Sequence, residues 1–397
     1  MCLSPLSLSA SCSVAAGSRY CLPVRRSPNH SSNGTPPYAA LTIHRRAACA
    51  VGHGAPACDN PPSRGGAQVS SQRRVCLLHT GGTLGMSGSP LEPGAYAARL
   101  LDRVPELGQI AAIEPRIVCN LDSSDLGPAE WTALATAIAA ERERFDGFVV
   151  VHGTDTMAFT AAALAFALEG LDRPVILTGA QRPLAAVRTD AHRNLIDAVE
   201  LATCGVPEVG ICFDGLLLRG CRAVKADPRH YRAFSSPGVA PLAHLGTDVD
   251  LAGHGRRPTG PFRCDPRFDP AVTAVWVVPG TSGASVAHQL AAPHLRGVVL
   301  AAFGVGTVPD DGTARAVADA VDRGVEVVVT TQWGGVVDLG LYRNSQRLRE
   351  AGAIDGGQMR IEAAVPKLMH ALAVLPDREA RAAYLLRDVA GERGEGG

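Results

Sequence analysis

Two short segments of the chain end in residues that can carry out nucleophilic chemistry. Residues 79–83 (HTGGT) and 152–156 (HGTDT) each lie at the end of an apolar run. Thr83 and Thr154 offer hydroxyls that can attack a carbonyl carbon once a base removes the proton. The glycines let the backbone turn tightly and expose N–H groups that can hold a developing oxyanion. The two segments therefore indicate acyl transfer.

A rare lysine supplies a candidate base. The chain has 38 lysines and arginines, of which only Lys225 and Lys367 are lysine. Arginine keeps its proton in proteins, whereas a lysine can release it when its surroundings lower the pKa. We expect Lys225 to exchange a proton with Thr154. Two threonines at strand ends plus a titratable amine predict an amidohydrolase.

Each of these features also has a plainer interpretation. Residues 79–83 could form a phosphate-binding loop or an ordinary turn, although neither a GxxxxGKS/T nor a GxGxxG pattern is present there. Thr154 or Asp155 could serve only as the N-cap of the next helix. Lys225 could be a surface lysine that remains by chance in a chain whose excess of arginine reflects codon bias. The functional interpretation depends on all three features occurring together.

Composition limits the class of protein. The chain has 397 residues, 46% of them hydrophobic and 19% charged, with zero formal net charge. That length can hold two domains with a large core. The neutral balance predicts no nucleic-acid partner, and no apolar run approaches the roughly 20 residues of a membrane helix, which predicts no membrane partner. No CxxC pair occurs among the 11 cysteines, so we expect no metal site.

Residues 1–73 differ from the rest of the chain. They are rich in Ser, Pro, Ala and Arg, contain one acidic residue, Asp59, and show no sustained period, which predicts a disordered leader. An acid-poor leader rich in Arg and Ser is typical of a transit peptide. Translated upstream sequence, with the true start close to Val69, explains the segment equally well.

Apolar runs alternate with helical patterns from Val75 onward. The runs are mostly apolar on both faces, as buried parallel strands are, and cover residues 75–79, 148–152, 174–178, 209–213, 275–278, 298–301 and 325–329. Helical patterns cover residues 156–168, 190–202, 313–323 and, in the tail, 361–387. This alternation predicts an α/β fold with parallel-rich sheets. Ligands of such sheets bind beyond the carboxyl ends of the strands, where Thr83 and Thr154 fall.

A segment rich in Gly, Pro and Arg, at residues 253–270, separates two sets of strands and helices. We predict an N-terminal domain over 74–255 that carries the catalytic threonines, a linker over 256–270 and a C-terminal domain over 271–397. The larger set of strands precedes the linker, so the N-terminal domain is expected to hold the larger sheet.

The motifs from Val75 onward resemble the bacterial-type L-asparaginase family, and its cytoplasmic type I branch in particular. Residues 80–86 (TGGTLGM) and 152–157 (HGTDTM) are similar to the two signatures of the family. Further segments that resemble it, in order, are residues 122–125 (DSSD), 178–183 (TGAQRP), 188–190 (RTD), 194–195 (NL) and 219–226 (RGCRAVKA). The resemblance leaves out the leader and implies a smaller, flavodoxin-like C-terminal α/β domain.

The resemblance implies a role for each site residue. Thr83 would be the nucleophile that forms a β-aspartyl ester and releases ammonia. Thr154, Asp155 and Lys225 would form a second triad that supports proton transfer and the hydrolytic water. Ser123 would bind the α-carboxylate of the substrate, and Asp155 would bind its α-ammonium. No metal or organic cofactor is implied, because hydroxyl attack and oxyanion donors suffice.

We therefore predict hydrolysis of L-asparagine, a small amino-acid amide, to L-aspartate and ammonia by a cytoplasmic homodimer or homotetramer. The predicted substrate-binding residues are Asp122, Ser123, Ser124, Gly82, Gly153 and Ala180. Two alternatives stay open. One is a non-catalytic amino-acid-binding relative, and the other is an amidotransferase subunit that supplies ammonia.

One departure from the family motivates the non-catalytic alternative. The family carries a tyrosine on the loop after its first signature, whereas residues 87–93 (SGSPLEP) place Pro90 or Leu91 there. Tyr96 follows on a predicted helix over 96–101, where we expect it to pack rather than reach the site. This departure concerns the activation of Thr83.

Overall fold

The computed structural model describes residues 72–87, 92–93, 100–309 and 311–394. These residues belong to one compact unit that spans Ala55–Gly397. The predictions made for residues 1–71, for loop positions 88–91 and for Tyr96 lie outside the described residues.

The elements are numbered in chain order. The strands are β1 (Arg74–Gly81), β2 (Met86–Ser87), β3 (Glu92–Pro93), β4 (Ala112–Leu121), β5 (Gly147–Val151), β6 (Leu168–Glu169), β7 (Val175–Thr178), β8 (Val209–Phe213), β9 (Leu216–Arg219), β10 (Val224–Lys225), β11 (Phe234–Ser235), β12 (Ala243–Leu245), β13 (Val249–Leu251), β14 (Arg263–Cys264), β15 (Val272–Trp276), β16 (Gly297–Ala302), β17 (Glu326–Thr331) and β18 (Ile354–Asp355). The α-helices are α1 (Leu100–Arg103), α2 (Leu107–Ile110), α3 (Pro128–Glu141), α4 (Met157–Ala167), α5 (Ala191–Thr203), α6 (Gly283–Leu290), α7 (Asp311–Asp322), α8 (Arg343–Glu350), α9 (Ile361–Val374) and α10 (Arg378–Leu386). Short 3₁₀ helices cover Thr83–Gly85, Ser123–Asp125 and Gly220–Arg222.

Two separate sheets organise these elements. The larger one has the strand order β13-β12-β9-β8-β7-β5-β1-β4, in which β8, β7, β5, β1 and β4 are parallel and the strands from β9 outward pair antiparallel. The smaller one, β15-β16-β17-β18, is parallel throughout. The predicted α/β class, with a larger N-terminal and a smaller C-terminal sheet, is confirmed.

The central strands of the larger sheet are buried on both faces and are apolar at most positions, with His79, Thr80 and Thr178 as exceptions. Along β1, Cys76 and Leu78 pack in one cluster with α3 and α4, whereas Val75 and Leu77 pack in another with α2 and α5. Side chains alternate across a strand, so a continuous apolar run fills two cores at once. This double burial fixes where the strands end, and hence where the segments that follow them lie.

Four strands of the larger sheet lie outside the predicted apolar runs, namely β4, β9, β12 and β13. β4 carries Pro115 and Arg116 and is only partly buried, because it lies at the edge of the sheet, where proline and charge are tolerated. β14, which pairs with β6, lies inside the predicted linker. No helix among the described residues is long and apolar enough to cross a membrane.

Candidate active site

Four neighbouring parallel strands of the larger sheet, β7, β5, β1 and β4, end at one edge of that sheet. The segments that follow them are residues 179–181, 152–155, 82–83 and 122–124. Each of these segments contains residues that the sequence placed in the site. The topology therefore brings together, at one edge of the sheet, residues that lie up to about a hundred positions apart in the chain.

The loops after β1, β5 and β4 touch through backbone that has no room for a side chain. Gly82 has φ +87°, and a Cβ on it would lie 2.4 Å from the amide nitrogen of Gly153. A Cβ on Gly153 would lie 2.6 Å from the Ser123 hydroxyl oxygen. Only glycine satisfies both the left-handed φ and the close approach. Thr83 follows Gly82 directly, so this contact sets it beside the loop of Thr154.

Lys225 joins two of the predicted catalytic residues. It lies on β10, which pairs antiparallel with β11. Its ammonium donates to the Thr154 hydroxyl at 2.7 Å and to the Asp155 carboxylate at 2.5 Å. The Lys225 side chain is 17% exposed and that of Asp155 is 69% exposed. An amine, a hydroxyl and a solvent-accessible carboxylate therefore meet at one point.

The segment after β4 is held by its own side chains. The carboxylate of Asp122 accepts from the backbone N–H and from the hydroxyl of Ser124, both at 2.9 Å. The carbonyl of Ser123 accepts from the Thr156 hydroxyl at 2.6 Å. These bonds fix the turn that sets Ser123 against Gly153. Asp122 thus caps the turn through Oδ1 of its carboxylate.

Ala180 lies at the same edge in a different environment. Its side chain is buried in the apolar cluster that includes α5. That position leaves only the main chain of Ala180 for a role in the site.

Gln181 is a residue of the site to which the sequence reasoning assigned no role. The Thr154 hydroxyl donates to its Oε1 at 3.4 Å, and its Nε2 donates to the carbonyl of His230 at 3.0 Å. The carboxylate of Asp190 accepts from the backbone N–H of Gln181 at 2.9 Å. Thr154 is therefore held between Lys225 and Gln181. Position directly after β7 was the signal that could have identified it.

A buried chain of hydrogen bonds fixes the peptide before Thr154. The Trp131 indole donates to the Thr160 hydroxyl at 3.0 Å, and that hydroxyl lies 2.9 Å from Nε2 of His152. An indole N–H can only donate, so the Thr160 proton is left for Nε2, and Nδ1 of His152 donates to the Gly153 carbonyl at 2.7 Å. Burial lowers the pKa of His152 to about 4. A neutral imidazole therefore orients the Gly153 carbonyl.

Comparison with known proteins identifies the family of the chain. Residues 74–256 match the model of the asparaginase N-terminal family, and residues 271–385 match that of the glutaminase/asparaginase C-terminal domain. The chain belongs to the asparaginase family. The predicted class of enzyme, an amidohydrolase, is thereby confirmed.

Several members of the asparaginase family are similar to this chain over most of their length. L-asparaginase 1 of Escherichia coli is 34% identical over 81% of this chain and 98% of that protein. A glutamyl-tRNA(Gln) amidotransferase subunit of Pyrococcus horikoshii is 34% identical over 80% of this chain and 76% of its own. The crystal structure of L-asparaginase I from Vibrio cholerae superposes with a TM-score of 0.75 at 34% identity, covering 81% of this chain and 99% of that one.

Proposed function

We propose that this asparaginase-family enzyme hydrolyses L-asparagine to L-aspartate and ammonia, with Thr83 as the nucleophile. The observation that carries the proposal is the bridge from Lys225 to Thr154 and Asp155, at 2.7 Å and 2.5 Å, beside the contact of Gly82 with Gly153. The E. coli and V. cholerae relatives are both called L-asparaginases, which supports the same substrate.

The charges of the site suit the two ends of a zwitterionic amino acid. The carboxylate of Asp155 is exposed, so it can bind the substrate α-ammonium. Lys225 forms an ion pair with the same carboxylate. The Ser123 hydroxyl lies against Gly153 and donates a hydrogen bond to the substrate α-carboxylate. With both ends held, the side-chain amide points towards the Gly82–Thr83 turn.

The proposed reaction has two halves. The Thr83 hydroxyl oxygen attacks the amide carbon, the C–N bond breaks, and the Thr83 proton leaves with the nitrogen as ammonia, forming a β-aspartyl ester. Water then attacks the ester carbon and restores Thr83 as L-aspartate departs. Lys225, when neutral, accepts a proton through Thr154 in the second half, and Asp155 stabilises the ammonium that results. N–H groups of the glycine turns hold the oxyanion.

Replacing the nucleophile tests this proposal. Thr83→Ala should lower ammonia release from L-asparagine by about 10⁴-fold or more while the circular dichroism spectrum is unchanged. Thr83→Ser, which keeps the hydroxyl, should retain measurable activity. Rapid-quench mass spectrometry of the parent enzyme should locate a β-aspartyl group on the peptide that contains Thr83. Unchanged ammonia release by Thr83→Ala would refute the nucleophile assignment.

A second candidate function is favoured by the similarity to the archaeal amidotransferase subunit. In that case the chain would deliver ammonia to a partner rather than release it. Ammonia release by the purified chain alone, with asparagine, glutamine and D-asparagine compared side by side, supports the free hydrolase. Copurification with a second subunit, together with activity that requires it, supports the amidotransferase role. Calorimetric binding of asparagine without turnover supports a non-catalytic binder.

A further inference from the structure

A cavity of about 320 Å³ lies apart from the candidate active site, and none of the residues proposed for that site lines it. It forms where the end of α4, the strand β6, residues 256–261 and residues 387–390 meet. A volume of this size is at the lower end of the range found for pockets that bind small molecules. The reaction proposed above does not use this cavity.

Part of the cavity lining, called its floor here, consists of apolar residues. These are Ala165, Leu168, Leu171, Val209, Val389 and Ala390. Leu168 and Leu171 also belong to the core cluster that includes residues of α3 and α4, which anchors this part of the lining. Apolar lining residues favour a ligand with an apolar body, because covering them removes apolar surface from water.

The rim of the cavity carries a surplus of positive charge. Each carboxylate that lines it has an arginine partner: Glu169 pairs with Arg387, Asp388 with Arg256, and Glu208 with Arg219. Arg257 and Arg263 line the cavity as well, and both are exposed. Because the carboxylates are already matched, these two guanidinium groups leave the rim with net positive charge.

The position of Arg263 next to Glu169 bears on the net positive charge of the rim. It lies opposite Glu169 in the pairing of β14 with β6, and both oxygens of Glu169 accept from Arg387, at 2.6 Å and 3.1 Å. The bidentate hydrogen bonds of Glu169 thus go to Arg387, and Arg263 acts on Glu169 only through its charge. A planar guanidinium in this setting suits a carboxylate or a phosphate that arrives from solvent.

We propose that this cavity binds a small organic anion. Its carboxylate or phosphate is held by Arg257 and Arg263, and its apolar body lies on the floor beside Ala165. The site is separate from the catalytic edge of the sheet, so its ligand is not the amide substrate in its reactive position.

Titration calorimetry with four probes tests the proposal: 4-phenylbutyrate, phenyl phosphate, 4-phenylbutylamine and inorganic phosphate. L-aspartate in excess, and a repeat with Lys225→Ala, keep binding at the candidate active site out of the measurement. The two aromatic anions should bind and the amine should not. Inorganic phosphate, which lacks the apolar body, should bind at least about tenfold more weakly. The ratio of the two aromatic anions shows whether a carboxylate or a phosphate is preferred.

Variants of the rim and floor locate the binding. Arg257→Gln combined with Arg263→Gln should weaken the aromatic anions by at least about tenfold. Ala165→Leu, which fills the floor, should weaken them as well. Arg315→Gln, an exposed arginine on α7, is the matched control and should change nothing. Ammonia release at the parent rate confirms that each variant is folded. If the double variant does not fold, Arg257→Gln alone should still weaken binding several-fold.

Three results would overturn the proposal. The first is that neither aromatic anion binds at millimolar concentration. The second is that the amine binds as well as the anions, which would leave only apolar contact. The third is that the arginine variants keep the parent affinity while Arg315→Gln behaves identically.

Discussion

The two lysines of the chain form the same kind of ion pair in opposite surroundings. Lys225 and Lys367 each bring the amine to 2.5 Å from a carboxylate oxygen. The Asp155 partner of Lys225 is 69% exposed, whereas Lys367 and its partner Glu392 are both 0% exposed. Rarity and a carboxylate partner are thus common to both lysines, and burial of the whole ion pair is found only at Lys367.

The surroundings of Lys367 explain its structural role. Its ammonium donates to the carbonyls of Leu385 and Arg387, at 3.1 Å and 2.5 Å, as well as to Glu392. Those bonds use all three donors of an ammonium group. Burial lowers the pKa of Lys367, and the charge of Glu392 opposes that shift. A buried amine whose protons are all bonded to protein atoms holds α9 to the segment after α10.

The largest expected effect concerns Lys225. Lys225→Ala should lower ammonia release by about 10²–10⁴-fold, as expected for loss of a general acid–base group, with little change in unfolding free energy. Lys225→Arg keeps the charge beside Asp155 but cannot release a proton, so it should be as inactive. The measurement is the steady-state rate with L-asparagine, next to urea unfolding. Full activity of Lys225→Arg would show that Lys225 has only a structural role in its ion pair, as Lys367 does.

The opposite result is expected for Lys367. Lys367→Met leaves the Glu392 carboxylate buried without its counter-charge and should cost about 3–5 kcal/mol of unfolding free energy. The rate per folded molecule should stay near that of the parent. Lys367→Met combined with Glu392→Gln should recover part of the loss, because both charges are then gone. Urea unfolding followed by circular dichroism measures all three, and a fully stable single variant would contradict the role assigned here.

His152 gives a smaller, pH-dependent effect. Its folded-state pKa of about 4 lies below the ordinary value of 6.5, so the unfolded chain takes up a proton over that interval and the folded chain does not. Its stabilising contribution is complete above pH 6.5 and decreases by about 3 kcal/mol as the pH falls towards 4. His152→Gln should flatten the fall of unfolding free energy between these values. His294→Gln, at an exposed position, should leave the slope as it is.

The smallest effect tests the cluster around Lys367. The Tyr384 hydroxyl lies 2.9 Å from Nδ1 of His370, and its ring lies 5.5 Å from the Lys367 amine. Tyr384→Phe keeps the ring and removes the hydrogen bond, so it should cost about 1 kcal/mol in urea unfolding. A loss as large as that of Lys367→Met would show that the cluster depends on the hydroxyl more than on the ion pair.

Sequence reasoning predicted the fold class and most central strands, because apolar runs buried on both faces leave a continuous signal. It did not predict β4, an edge strand that carries Pro115 and Arg116 and is only half-buried, nor the short antiparallel strands β9, β12 and β13. The strand ends also predicted where Thr83 and Thr154 would lie. The position of Gln181 after β7 indicated the site, but its contact with Thr154 was not predicted, because that contact depends on how Asp190 holds the turn after β7. The rarity of lysine marked Lys225 and Lys367 equally, and only burial separates them.

The contact between Gly82 and Gly153 has a consequence for heat treatment of the enzyme. At this point Gly82 faces the backbone of His152 and Gly153 directly. The separation of these loops is then set by the sheet and should hold until the strands part. Thermal inactivation of the enzyme is accordingly expected to coincide with melting of the larger sheet, rather than to precede it.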